Sequence, residues 1–322
     1  MRRTAKPLLT GLGVPESLRW HDGALWFSDM ARGTVHRWTQ ADGLDTVARI
    51  PGRASGLGWL PDGRLLAVSM DERRVYRREP DGSLVVHADL DGIASGEAND
   101  MLVDRAGRAY VGNFGFDYHA FVRAHPNVQL YAPPGPPTAR VACFAADGAL
   151  LGVSEPLLFP NGCVITADGD FVVAETLGLR LTALSLDKAG APGEARPWAS
   201  LVAPVLWRLL NHPGLAGRIT RRFAVLLERP AIAQRSTTPI APDGIALAPG
   251  ERTIWVADAL HPQCVHVARG GKIIERVHTS QRAYSCVIGG ADGDILFAAT
   301  GPSPDPQVAG KLDSGCIEMA RL

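Results

Sequence analysis

One phrase recurs along the chain: an apolar strand, a turn containing glycine, then a second strand of aromatic and β-branched residues. Its copies read SLRWHDGALWFSD, GLGWLPDGRLLAVSM, DMLVDRAGRAYVGNF, CVITADGDFVVAET, IALAPGERTIWVAD and CVIGGADGDILFAAT. The turn glycines Gly23, Gly63, Gly107, Gly169, Gly250 and Gly293 are separated by 40, 44, 62, 81 and 43 residues. Asp-Gly between alternating apolar runs specifies a hairpin. A hairpin returning every 40–45 residues or so marks a propeller of four-stranded blades. TVHRW, RRVYRRE, RLTALSL and CVHVARG supply further strands after individual copies. Six copies predict an all-β fold, a six-bladed β-propeller, with residues 1–322 forming a single domain. A β-sandwich does not repeat one hairpin phrase six times. The closing blade has to recruit strands from both ends of the chain, and CIEMARL at the C-terminus suits that use.

Composition narrows the class of partner. Lys+Arg 33 against Asp+Glu 33 leaves no net charge, hence no bulk field to draw in nucleic acid. No apolar run is long enough to span a bilayer as a helix. Met1-Arg2-Arg3-Thr4 is basic but is followed by no apolar signal core. Five cysteines, Cys143, Cys163, Cys264, Cys286 and Cys316, are far apart and lack metal spacing, which reads as buried free thiols. Together these features predict a cytoplasmic location.

Two repeat intervals are too long. In the third unit the excess runs from about Phe116 to Thr138, between a blade's second and third strands. In the fourth it runs from about Ser200 to Ile240, between an outer strand and the next inner strand. Counting strand directions, both connections emerge on the face where inner strands begin, so both should overhang one mouth of the central channel. The 200–240 insertion has helical spacing, with Ile219, Phe223, Leu226 and Leu227 on one side and Arg218, Arg221, Arg222 and Arg229 mostly on another. Residues 200–229 carry five Arg against one Glu. We read 200–240 as a helical lid over the pocket. The alternatives are a helix pair contacting a membrane surface or a partner through 200–229, or a simple packing element.

The usual catalytic signatures are missing: there is no HExxH, GxSxG or Walker loop, and no histidine stands at metal spacing from another ligand. GLGVPE at 11–16 lacks the third glycine of a dinucleotide fingerprint, and no helix follows it. What remains is positional. Just before, or at, the first residue of an inner strand stand Glu16 in VPES, Asn99-Asp100 in EANDM, Asn161 in FPNGC and Asp243 in APDGI. Inner strands surround a propeller's axis, so these residues should converge at one mouth. Each tripeptide alone is ordinary turn chemistry; their shared place in successive repeats makes them a site. Two carboxylates and two amides offer only hard oxygen donors. Such a set suits one divalent cation, Ca²⁺ before Mg²⁺ or Mn²⁺, with a structural zinc site disfavoured. LPDGR at 60–64 resembles APDGI but follows its inner strand, and reads as a turn at the opposite end.

The set VPES, AND, PNG and PDG, each opening a unit, resembles the family of senescence marker protein, gluconolactonase and luciferin-regenerating enzyme. The likeness spans roughly Gly11 to Thr300 apart from the two insertions. It implies a six-bladed propeller with one divalent cation at the channel mouth and, in many members, lactone hydrolysis. Carried over by motif, Glu16, Asn161 and Asp243 become direct metal ligands. Asn99 becomes a further ligand or a substrate contact, and Asp100 supports the site from behind. Sugar-lactonase members carry an Arg two positions before the Asn of the second motif; this chain has Glu97 there.

The activity predicted is metal-dependent hydrolysis of a small-molecule lactone or related ester. Asp243 is the catalytic residue, as general base or as direct nucleophile. Glu97, Asn99, Asn113, Asp117, Tyr118 and His119 are candidate substrate contacts, with His119 the candidate second base and His125 a further polar residue beside the first insertion. Glu175 is a supporting residue at a strand end. Tyr284 reads as a packed aromatic at a blade start, His261 beside Pro262 as a solvated turn, and Trp20, Trp26, Trp59 and Trp255 as packing between blades. Organophosphate hydrolysis, cyclisation of a secondary metabolite, and a non-catalytic Ca²⁺-binding propeller are the competing readings of the same scaffold.

Overall fold

Strand assignment follows the repeat. In the computed structural model, residues 3–124, 130, 136–210, 212, 214–215, 217, 219, 238–303 and 311–322 are described. The chain opens with β1 (Arg3–Thr4) and β2 (Lys6–Leu12). Blade one holds β3 (Pro15–His21), β4 (Ala24–Asp29), β5 (Thr34–Thr39) and β6 (Gly43–Arg49). Blade two holds β7 (Ala54–Trp59), β8 (Leu65–Ser69), β9 (Arg74–Arg78) and β10 (Leu84–Asp89). Blade three holds β11 (Ala98–Val103), β12 (Ala109–Asn113), β13 (Ala142–Phe144) and β14 (Leu150–Val153), with helix α1 (Tyr118–Ala124) between its second and third strands. Blade four holds β15 (Pro160–Ile165), β16 (Phe171–Glu175), β17 (Arg180–Leu186) and β18 (Pro192–Ser200), followed by helix α2 (Pro204–Leu210). Blade five holds β19 (Pro242–Leu247), β20 (Ile254–Asp258), β21 (Gln263–Val267) and β22 (Ile273–His278). Blade six holds β23 (Arg282–Gly289), β24 (Ile295–Gly301) and β25 (Gly315–Arg321).

Each blade is an antiparallel sheet in chain order, and the sixth is completed by β2 pairing with β25. The ring is thus closed by hydrogen bonds between the two ends of the chain, as the repeat count required. CIEMARL supplies the third strand of that blade and the N-terminal segment its outer one. A second tie comes from β1, which adds in parallel to β22 of blade five. The six hairpin glycines all have positive φ, from +66° to +87°, a region open to glycine without a Cβ clash.

The core lies between blades. Six apolar clusters fill the six gaps around the ring, for example Leu18, Leu25 and Phe27 of blade one against Phe297, Ala299 and Ile317 of blade six. Leu66, Val68 and Val75 of blade two likewise meet Met101, Val111 and Phe144 of blade three. Trp20 stacks on Phe297 at 5.5 Å across one gap, and Trp26 meets Trp59 edge-on at 5.3 Å across another, so these rings are packing residues. Trp255, buried, stacks on His266 within blade five. All five cysteines are buried and unbridged. LPDGR forms a tight turn in which Leu60 N–H donates to the Arg64 carbonyl, away from the inner-strand heads. Among the described residues no helix is long and apolar enough to cross a membrane.

Both long connections sit where the strand count put them, after β12 and after β18. Of the 200–240 insertion the described part is mainly α2, whose Leu206 packs on Leu179, Val202, Ala241 and Leu260. The second amphipathic stretch, with Phe223, Leu226 and Leu227, lies outside the described residues, as do the side chains of Arg218, Arg221, Arg222 and Arg229.

Candidate functional site

Every inner strand begins with the same irregularity. In blade two, Ala54 pairs with Ser69 and Leu57 with Ala67, so Ser55 and Gly56 face the single residue Val68. In blade three Asn99 and Asp100 face Gly112, in blade four Asn161 and Gly162 face Ala174, and in blade five Asp243 and Gly244 face Ala257. Blade one breaks register between Glu16 and Arg19, and blade six between Ala283 and Ser285. A β-bulge bends its strand and re-aims the extra side chain. Asn99, Asn161 and Asp243 lie in these bulges, and Glu16, paired with Ser28, stands just before that of β3. All four line one cavity. Ser55 and Tyr284 hold the corresponding places in blades two and six. Proline stands before Glu16, Asn161 and Asp243, at the first strand position, where its missing N–H breaks no ladder bond within the strand.

The residue after each of these is small or buried because neighbouring inner strands are in contact. A Cβ added at Gly162 would lie 2.6 Å from the Ile245 nitrogen and 2.7 Å from the Gly244 Cα. At Gly56 it would lie 2.5 Å from the Met101 nitrogen. Glycine at these places lets blades close on one another and brings the side chains one residue earlier within reach of each other.

Glu16, Asn99, Asn161 and Asp243 accordingly line a single cavity of about 230 Å³. Asn161 donates from Nδ2 to Thr176 Oγ1 at 3.3 Å, and its amide partly offsets the upward shift of the Asp243 carboxyl. That spends the amide nitrogen and leaves the carbonyl oxygen as a donor atom for a ligand. Thr176 Oγ1 in turn donates to the Pro242 carbonyl at 2.7 Å, tying blade four to the head of β19. Ser55 Oγ donates to Asn99 Oδ1 at 3.2 Å.

The charges are arranged asymmetrically. Asp100 is buried and satisfied: Arg19 Nη2 reaches it at 2.7 Å, Ser17 Oγ at 2.9 Å and its neighbour's N–H at 2.8 Å. Arg19 also donates to the carbonyls of Leu57 and Met101, bracing three blades from inside the channel. Glu16 and Asp243 form no such ion pair among the described residues. Burial, and after it the negative charge of Asp100, push Glu16 up to about 8. Burial first, then Glu16 and Asp100, hold Asp243 well above the ordinary carboxylate range. Two carboxylates that resist ionisation together form a site short of positive charge.

Hard oxygen donors with a negative excess fit a divalent cation. Among the described residues no three His, Cys, Asp or Glu side chains group as ligands, so an ion here would rest on the amides of Asn99 and Asn161 as much as on Glu16 and Asp243.

Other sequence candidates are distributed differently. Tyr118, placed by α1, lines the cavity together with Leu130. Asn113 is fully buried and spends both ends of its amide on the first insertion, donating to the Arg140 carbonyl and accepting from Gly115 N–H. Asp117 is exposed and accepts from Ala120 N–H at 2.7 Å, holding the start of α1. Glu97 pairs with Arg53 at 3.2 Å, and its other carboxylate oxygen is buried without a partner. Glu175 is buried, accepts from Leu158 N–H at 2.7 Å and pairs with Arg180, so it holds the segment leading to Asn161. Tyr284 is buried, its hydroxyl donating to the Gly301 carbonyl, as expected of a packed aromatic. His261 departs from expectation: it is buried rather than solvated, its Nδ1 2.8 Å from Asp258 Oδ2. Asp258 also accepts the N–H of Ala241 and of Leu260, and that four-residue tie fixes the loop. The His119 side chain and His125 lie outside the described residues.

Sequence reading missed much of the cavity wall. Met30, Phe114, Thr176 and Ala259 all line it. Each follows the residue that ends its blade's second strand, namely Asp29, Asn113, Glu175 and Asp258. The shared position was a usable signal; the residue types are too varied to show it. Arg282, two positions before Tyr284, is the cationic side chain of the described lining.

Fold and site together define a six-bladed propeller whose inner-strand heads gather an acidic, oxygen-rich cluster at one mouth. The family model for the SMP-30/Gluconolactonase/LRE-like region matches residues 14–301, and the chain belongs to that family. Among solved structures, a luciferin-regenerating enzyme superposes with a TM-score of 0.72 at 16% identity, over 99% of this chain and 95% of that one. A gluconolactonase from Xanthomonas campestris gives 0.65 at 20% identity, over 98% and 89%. The calcium-binding protein regucalcin from Agrobacterium tumefaciens gives 0.65 at 17% identity, over 98% and 90%. At these identities the likeness establishes the fold. No curated protein matches the sequence.

Proposed function

We propose that the protein is a divalent-cation-dependent hydrolase that opens a lactone or related ester. The observation that carries this reading is the convergence of Glu16, Asn99, Asn161 and Asp243 on one cavity, with two of them buried carboxylates held above the ordinary carboxylate range by burial and by neighbouring negative charge. Family membership and the gluconolactonase neighbours support it. The calcium-binding neighbour supports Ca²⁺ as the first cation to test.

Glu16, Asn99, Asn161 and Asp243 are the ligands in this reading, and a bound cation supplies Lewis-acid polarisation of the substrate carbonyl. Asp243 accepts the proton of the attacking water. A carboxylate that adjoins both the cation and the attacking water can take that proton, and a bound cation would lower its pKa from the raised value of the buried, ion-free group. The water oxygen bonds to the carbonyl carbon, the ring C–O bond breaks, and the leaving alkoxide takes the proton from Asp243. The product hydroxy acid releases one proton to neutral solution. Thr176 holds the head of β19 through the Pro242 carbonyl, so Asp243 is presented by a braced strand. Within the described residues α2 lies beside this cavity, its Leu206 packed against the cluster that includes the lining residue Leu260, which supports a lid role for that helix.

A pH-indicator assay over a lactone panel, with Ca²⁺, Mn²⁺ or Zn²⁺ added and then chelated, tests the reading. Turnover should need the cation, and Asp243→Asn should lose at least about a hundredfold in kcat while remaining folded. Near-normal activity in that variant would refute the assignment.

A further inference from the structure

Away from the oxygen donors, the cavity is a hydrocarbon wall. Met30, Phe114, Tyr118, Phe159, Leu177 and Leu260 line it. Phe114 and Phe159 stack at 4.2 Å, and Tyr118 meets Phe159 edge-on at 5.4 Å. All of these wall residues but Leu260 belong to one apolar cluster that also takes Met70, Phe116 and Tyr284.

One member is held there against its backbone preference. Phe159 has φ +59°, the left-handed region, where a bulky side chain is a true outlier. It directly precedes Pro160-Asn161, so the turn that delivers a donor residue also places the ring against Phe114. Beyond the four oxygen donors, the polar side chains lining the cavity are Tyr118, Thr176 and Arg282, few for a guest with several hydroxyls. The Thr176 hydroxyl already donates to the Pro242 carbonyl and accepts from Asn161. Arg53, two positions before Ser55, is engaged by Asp71 at 2.5 Å and by Glu97 at 3.2 Å. A volume of about 230 Å³ falls below the usual range for drug-sized ligands, so the guest is compact.

Resting on the hydrolase reading, we infer that the substrate is a small lactone bearing an aryl or alkyl substituent, seated against Phe114, Tyr118 and Phe159, and not a polyhydroxylated aldonolactone. Each hydroxyl brought to that wall would lose its water without a replacement partner. Discrimination by an apolar site against one added hydroxyl reaches about a hundredfold, and an aldonolactone carries several.

The test compares kcat/KM for γ-phenyl-γ-butyrolactone, γ-nonalactone and δ-gluconolactone in the pH-indicator assay with Ca²⁺ or Mn²⁺. The substituted lactones should exceed gluconolactone by about a hundredfold or more. Gluconolactone turned over as well as the others would overturn the inference and leave the hydrolase reading standing. Failure of every lactone with every cation would overturn both. Phe159→Asn supplies the second arm, because Asn tolerates positive φ and so removes the ring while relieving the backbone. The phenyl-to-gluconolactone ratio should fall at least about tenfold in this variant. Because both rates come from one preparation, the ratio does not depend on the folded fraction. An unchanged ratio would show that the ring only fills space, and would contradict the assignment.

Discussion

Replacing Glu16 by Gln should stabilise the cation-free protein and at the same time abolish most of its response to cation. Burial and Asp100 raise Glu16 from 4.5 to about 8 in the fold. A raised carboxylate contributes its stability fully below its unfolded value and loses it as pH climbs toward the folded one. Each unit corresponds to about 1.4 kcal/mol. Ionising Glu16 in the empty site therefore costs on the order of 4 kcal/mol at pH 8, and less than about 1 kcal/mol at pH 5. Gln at position 16 removes that cost. For a chain of 322 residues, 1 kcal/mol moves Tm by roughly 1.5 °C, so the gain at pH 8 is about 6 °C, and at pH 5 about 1 °C. In the wild type, cation at a hundred times its Kd adds about 2.7 kcal/mol, a further rise of roughly 4 °C. The variant, short of one anionic ligand, should gain little at that concentration. Calorimetric melts at pH 5 and pH 8, in chelator and with Ca²⁺ or Mn²⁺, give all the numbers needed. A Glu16→Gln protein that melts lower than wild type in chelator at pH 8, or that gains as much from cation, would refute the reasoning.

Two other perturbations reach separate parts of the account. Gly162→Ala drives a methyl into the β19 backbone at 2.6 Å and should cost about 1–3 kcal/mol, with cation affinity falling as Asn161 and Asp243 are prised apart; urea melts and cation titration measure both. His87, in the outer strand β10, is buried with neither ring nitrogen hydrogen-bonded among the described residues, and burial followed by repulsion from Arg77 and Arg64 lowers its pKa below 6.5. The unfolded chain then binds the extra proton, so His87 weakens the fold as pH falls below about 6.5. His87→Leu should raise Tm more at pH 5 than at pH 7.5; equal shifts at both would show that the imidazole proton is irrelevant.

The propeller is legible because its rule is repeated: one strand–turn–strand phrase recurs six times, and only a closed ring lets six such hairpins bury both faces of each sheet. The donor set is legible for the same reason, since Glu16, Asn99, Asn161 and Asp243 occupy one place in four copies. Ser55 holds that place in a fifth copy and escaped notice because serine in ASGLGW looks like filler. Asn113 and His261 were harder, for their chemistry is ambiguous in a string of letters. An amide beside an insertion reads equally as a substrate contact or as a backbone clamp, and Asn113 is the clamp. A histidine next to proline reads as a surface turn until Asp258, three residues earlier on β20, is seen to hold it inside. This part of the cavity wall stayed hidden because Met30, Phe114, Thr176 and Ala259 share a blade position without sharing a residue type.

The central claim is that oxygen atoms from four blades hold one dication at the mouth of the channel. A crystal grown with Mn²⁺, recorded at an energy where manganese scatters anomalously, tests it directly, and a Ca²⁺ crystal gives the distances. A single anomalous peak should lie among Glu16, Asn99, Asn161 and Asp243, with calcium–oxygen distances of about 2.3–2.6 Å to at least three of them. A fully loaded crystal without a peak there, or with Glu16, Asn161 and Asp243 turned away from one another, would contradict the account.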